Sequence, residues 1–138
     1  MVEDERLREI DFGVLDGLTK QGIAHFHPDE QQRRAALGKY HYRPPGGENY
    51  PDVGLRLHSF LGTLTRETVG ESVLVVCHSV VVLVFRKLLE RLSEQRLLEI
   101  DADKEQEVRN CSVTHYAFDP SVGQRGKLIL QDFNRVYY

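Results

Sequence analysis

Glu9 lies in Leu7-Arg8-Glu9-Ile10-Asp11-Phe12-Gly13, between an arginine and an apolar residue, with a second carboxylate at Asp11. Paired carboxylates divide acid and base work when their environments differ. The same spacing is common on any surface strand. His78 closes the apolar run Val73-Leu74-Val75-Val76-Cys77. There an imidazole can donate to a bound anion or move protons near neutral pH, and its plainer alternative is a hydrogen-bonded core histidine. Arg34, Lys39, Arg43 and Arg56 place cations around Pro44-Pro45-Gly46-Gly47. A phosphate ester requires such groups, and Arg suits bidentate contact, although most basic residues on helices are simply solvated. The two glycines fit neither the Walker nor the dinucleotide fingerprint. The remaining histidines, His25, His27, His41, His58 and His115, lack the paired spacing of metal ligands, so neither metal nor cofactor is expected. Cys77 and His78 adjoin on a strand and therefore point to opposite faces, which makes Cys77 a core residue.

These groups need elements to hold them. Thr19 caps a helix over Lys20 to Phe26, which Pro28 ends, and Asp29 caps a polar helix over Glu30 to Leu37 that stops at Gly38. Lys39 to Asn49 is an ordered loop, since its prolines and glycines forbid helix or central strand. Pro51 suits a first helical turn, and Val53, Leu57, Phe60, Leu61 and Leu64 recur at helical spacing, which predicts the longest helix, ending near Gly70. Val73 to Cys77 reads as a strand buried on both faces in a parallel sheet, and helix follows from Val80 to Leu92. His78 and Ser79 then sit at the carboxyl end of a buried strand, where open α/β sheets bind ligands. Ser93 caps a short helix through Glu99. Ser112 to Phe118 and Lys127 to Phe133, joined by a turn-rich segment, suit an antiparallel hairpin, whose edge offers a route to a homo-oligomer.

Composition narrows the partners. The 138 residues are 41% hydrophobic and 28% charged, the signature of one globular domain. A net charge of −3 at pH 7 is too small and of the wrong sign for a protein that neutralises a nucleic-acid backbone. The charged start, Met1-Val2-Glu3-Asp4-Glu5-Arg6, has no apolar run for a signal peptide, and the most apolar stretch, Val73 to Leu89, is broken by charges and too short for a membrane span. Two cysteines are too few to staple a secreted fold, and a reducing cytoplasm is the expected setting.

Taken in order, Leu7-Arg8-Glu9-Ile10-Asp11-Phe12-Gly13, Gly17-Leu18-Thr19, Arg43-Pro44-Pro45-Gly46-Gly47-Glu48-Asn49, Val73-Leu74-Val75-Val76-Cys77-His78 and Asn110-Cys111-Ser112-Val113-Thr114 resemble the histidine phosphatase superfamily. The stretch from Glu9 to Val80 is most similar to the fructose-2,6-bisphosphatase domains. The resemblance implies a phosphoglycerate-mutase-like three-layer α/β fold with a mainly parallel sheet. It also implies transfer of a phosphoryl group from a small phosphorylated metabolite to a histidine, then hydrolysis, without metal. Glu9 matches the proton donor and His78 the second histidine, which hydrogen-bonds the phosphoryl group. Arg34, Lys39 and Tyr50 match positions that hold the rest of a phosphorylated sugar. Ser79 stands where relatives often carry Gly or Gln, and Lys20 where the bisphosphatase has a substrate-contacting Tyr.

The family's Arg-His-Gly triplet, which carries the nucleophile, occurs nowhere in these 138 residues. The chain therefore resembles a single histidine phosphatase domain that is incomplete at its N-terminus. Without the nucleophile, little or no turnover is expected. In the family the first two strands flank the Val73–Cys77 strand, and without them its N–H and C=O ladders would lie open. The competing expectation is a non-catalytic remnant that binds a phosphate or sugar phosphate. Mutase and phosphatase chemistry share the same groups, so the residues leave that choice open.

Overall fold

The computed structural model describes residues 1–138 and contains five α-helices and a single two-stranded sheet. It forms two compact units, Met1–Val81 and Val82–Tyr138.

The first unit opens with two 3₁₀ turns, Glu5–Leu7 and Gly13–Leu15. Helix α1, Lys20–Phe26, starts as its cap residue predicts, with the Thr19 hydroxyl accepting from the Gly22 N–H at 3.1 Å. Helix α2 runs Pro28–His41, one turn longer than expected. Gly38, at φ 78°, interrupts it with a backbone conformation open to glycine, and Lys39 to His41 then resume the helix. Helix α3, Tyr50–Glu67, begins with a reciprocal cap: Asp52 N–H donates to Asn49 Oδ1 at 3.0 Å and Asn49 N–H to Asp52 Oδ2 at 2.9 Å. Tyr50, Val53, Leu57 and Phe60 are buried at helical spacing and form the core stripe that the periodicity predicts.

The expected strand at Val73–Cys77 is not formed. Residues 73–78 belong to neither helix nor ladder, and Val73, Leu74 and Val76 are exposed. The β-branched run supplies strand propensity, but a strand exists only through hydrogen bonds to neighbours, and no parallel partner is present. Helix α4, Ser79–Glu90, follows directly.

In the second unit, helix α5, Glu94–Ala102, is capped by the Ser93 hydroxyl and buries Leu97 and Ile100. Strands β1, Val113–Asp119, and β2, Lys127–Arg135, pair antiparallel, as the hairpin reading predicts. The ladder is irregular around His115. Arg86 is buried here: it forms two bonds to the Glu90 carboxylate, at 2.8 and 3.0 Å, and stacks 4.1 Å over the Phe133 ring. Tyr116 donates to the same carboxylate at 2.6 Å. Burial works to raise the Glu90 carboxyl, but the bonds from Arg86 and Tyr116 outweigh it and hold the group below its ordinary value. No helix is long and apolar enough to cross a membrane.

Candidate active site

Glu9 and the start of α4 meet in the first unit. Glu9 Oε2 accepts the Ser79 hydroxyl at 3.3 Å and the Val80 N–H at 3.4 Å, while Oε1 accepts the N–H of Ile10 at 2.9 Å. The Glu9 side chain thereby satisfies an N–H of the first helical turn that has no partner within the helix. His78, exposed, immediately precedes Ser79. Residues 69 positions apart in sequence, Glu9 and His78, thus flank the same helix start, which brings a carboxyl group and an imidazole to one place.

The Glu9 segment is held by the loop after α2. Val14 N–H donates to Pro45 O at 3.0 Å and Glu48 N–H to Asp11 O at 2.8 Å. Gly13, at φ 52°, lies so close to this loop that a Cβ would meet Pro45 O at 2.2 Å. Asp11 closes the local turn by accepting the Gly13 N–H at 2.8 Å, which gives it a turn role in place of the second acid considered from its spacing. Gly47 N–H is spent on Pro44 O at 2.9 Å.

The cations around this loop divide. Arg34 and Lys39 are exposed on α2. Arg43 is paired with Asp52. Arg56, a candidate for anion contact by residue type alone, is occupied within the protein: its guanidinium binds the Glu48 carboxylate at 3.0 and 3.2 Å and the carbonyls of Arg6 and Glu9 at 2.5 and 3.4 Å. Tyr50 is only 4% exposed, its ring stacked on Tyr40 at 5.7 Å, so in this conformation it offers a ligand almost no surface. Cys77 is half-buried, not the core residue expected of a covered strand, and what burial it has pushes its thiol above the ordinary value.

The Glu48 cluster is invisible in the sequence pattern. Its only local signal is an acid directly after two glycines, and its arginines lie 40 positions before it and 8 after it.

Comparison with known proteins identifies the family and the fold. The histidine phosphatase superfamily (branch 1) model matches residues 1–127, and the chain belongs to that superfamily. It is 36% identical over 124 residues to a 6-phosphofructo-2-kinase/fructose-2,6-bisphosphatase of Caenorhabditis elegans, covering 86% of this chain and 26% of that protein. Against the human 6-phosphofructo-2-kinase/fructose-2,6-bisphosphatase 3 it is 43% identical over 75 residues, 54% of this chain and 14% of the relative. Among solved structures, Bacillus stearothermophilus YhfR superposes with a TM-score of 0.73 at 26% identity, over 98% of this chain and 61% of YhfR. A mycobacterial glucosyl-3-phosphoglycerate phosphatase, solved with inorganic phosphate, superposes with a TM-score of 0.72 at 22% identity, over 96% and 63% of the two chains. The fold is therefore the α/β, phosphoglycerate-mutase-like fold of these phosphatases, represented here by a chain that spans a quarter of the worm relative and under two thirds of the structural neighbours.

Proposed function

We propose that the chain is part of a phosphomonoesterase acting on a small phosphorylated metabolite, with a sugar phosphate as the substrate class. The observation that carries this reading is the Glu9 carboxyl at the start of α4, beside His78. The nucleophile is the histidine of an Arg-His-Gly triplet, which these 138 residues do not contain. Its imidazole nitrogen attacks phosphorus and the ester P–O bond breaks. Glu9 gives its proton to the departing alkoxide. His78 donates to the phosphoryl oxygens, Ser79 joins it by turning its hydroxyl from Glu9 to the substrate, and Arg34 and Lys39 meet the remainder of the substrate. Tyr50, buried and stacked on Tyr40, reaches the substrate only if that stack opens. Water then attacks the phosphohistidine, returning a proton to Glu9 and releasing inorganic phosphate. Fructose-2,6-bisphosphatase relatives and a glucosyl-3-phosphoglycerate phosphatase neighbour support the sugar-phosphate class.

The test joins an Arg-His-Gly-bearing N-terminal segment of a superfamily member ahead of Met1 and assays a panel of phosphomonoesters. We expect hydrolysis through an acid-labile phosphohistidine that disappears when the supplied histidine is changed. A folded protein that hydrolyses none of them overturns the reading. The exposure of Arg34 and His78 favours a second reading, a non-catalytic binder of phosphate or sugar phosphate. Calorimetric titration of the chain alone with each ligand supports it if heat of binding appears without turnover in the joined protein.

A further inference from the structure

We propose that Glu48, clamped by Arg8 and Arg56, is a positioning residue that sets where the Glu9 carboxyl sits; the inference rests on the reading of Glu9 as the leaving-group acid. The Glu48 carboxylate accepts five hydrogen bonds: two from Arg8 at 3.0 and 3.1 Å, two from Arg56 at 3.0 and 3.2 Å, and one from the Asp11 N–H at 3.1 Å. Arg56 and Glu48 side chains are each only 13% exposed, so the pair is largely withdrawn from water. A charge so placed persists only when its lone pairs are filled, and planar guanidinium forks fix its orientation.

The partners of this cluster bracket one residue. Arg56 reaches the carbonyls of Arg6 and Glu9, Glu48 takes the N–H of Asp11, and the Glu48 N–H takes the Asp11 carbonyl. The backbone before, at and after Glu9 is thereby fixed, while the Glu9 carboxyl itself is bonded elsewhere, to Ile10, Ser79 and Val80 N–H or O–H groups. The cluster touches neither His78 nor the α4 start through any bond of its own. Its action on the site passes through the placement of Glu9.

The Val80 amide reports that placement, because its N–H donates to Glu9 Oε2. The experiment follows its ¹H–¹⁵N shift in the dilute 138-residue chain across the carboxylate titration range. The set is the native chain, Glu9→Gln, Glu48→Gln and Arg56→Lys. We expect a pH-dependent Val80 shift in the native chain that Glu9→Gln abolishes. Glu48→Gln should reduce it severalfold, toward the Glu9→Gln level. Arg56→Lys keeps a cation opposite Glu48 and should retain an intermediate response, a graded rescue that a merely structural defect would not produce. A native Val80 signal indifferent to Glu9→Gln overturns the proposal, as does an unchanged response in Glu48→Gln. Loss of amide dispersion across residues 1–81 in both clamp variants also overturns it, since the cluster would then hold the fold and not the acid. Failure of the phosphatase reading looks different: no phosphohistidine forms although the Val80 response is intact.

Discussion

The carboxyl of Glu9 can supply a proton, and the amide of Gln, which keeps its shape, cannot. In the protein joined to an Arg-His-Gly segment, Glu9→Gln should slow hydrolysis of alkyl phosphates by ~10²–10⁴ while barely affecting esters of strongly acidic phenols, which leave without help. Rates plotted against leaving-group pKa check this, and uniform slowing removes Glu9 from the acid role. Tyr42 offers a separate handle: it is buried, its hydroxyl donates to Glu30 Oε2 at 2.8 Å, and burial with that carboxylate beside it pushes its pKa up to about 12 from 10.0. A phenol whose pKa is raised on folding contributes stability that is complete below the unfolded value and is lost as pH rises from 10.0 toward about 12. Tyr42→Phe should cost ~1–2 kcal/mol near neutrality and remove that alkaline decline, as denaturant melts at stepped pH would show. Glu9 and His78 stand out in sequence through their neighbours and the superfamily resemblance, whereas their meeting at one helix start, across 69 positions, is a product of the fold. The role of Arg56 was not legible, because residue type announces a cation but not whether a carboxylate has already taken it.

Local chemistry announces helices well, since caps and breakers act within a few residues. Thr19, Asn49 and Ser93 all accept the hydrogen bonds that a capping role requires. Gly38 was expected to end α2, yet the helix resumes for one turn beyond it. The strand reading at Val73–Cys77 failed for the opposite reason: a ladder is a property of neighbours, and composition records only the willingness to join one. Close approach between distant segments is equally silent in sequence. Gly13 shows it, with positive φ and the Pro45 carbonyl where a Cβ would be. Gly13→Ala should therefore destabilise the first unit by about 2 kcal/mol or more and release the 8–14 segment. Hydrogen exchange that rises at Val14 and Glu48, whose amides bond across this contact, would confirm it. Unchanged exchange there would show that the contact yields without cost.

For the molecule as a whole, the uncovered run from Val73 to Val76 is the dominant liability. Leu74 and Val76 are 86% and 81% exposed, in a stretch with no charge and no proline, the composition that invites strand pairing between chains. We expect concentration-dependent self-association of the isolated chain, reduced by Leu74→Lys with Val76→Lys and visible in sedimentation velocity. A native chain that stays monomeric at every concentration would count against it. The same double substitution should weaken hydrolysis in the joined protein, where an added strand has to lie against this run. Superfamily membership, the fold class and most elements could be read from residue order, whereas the uncovered state of this run follows from which strands are at hand. Limited proteolysis of the 138-residue chain should therefore cut first in this run, where no ladder holds the backbone and the side chains lie open, so that resistance to cutting there reads out its covering by another strand.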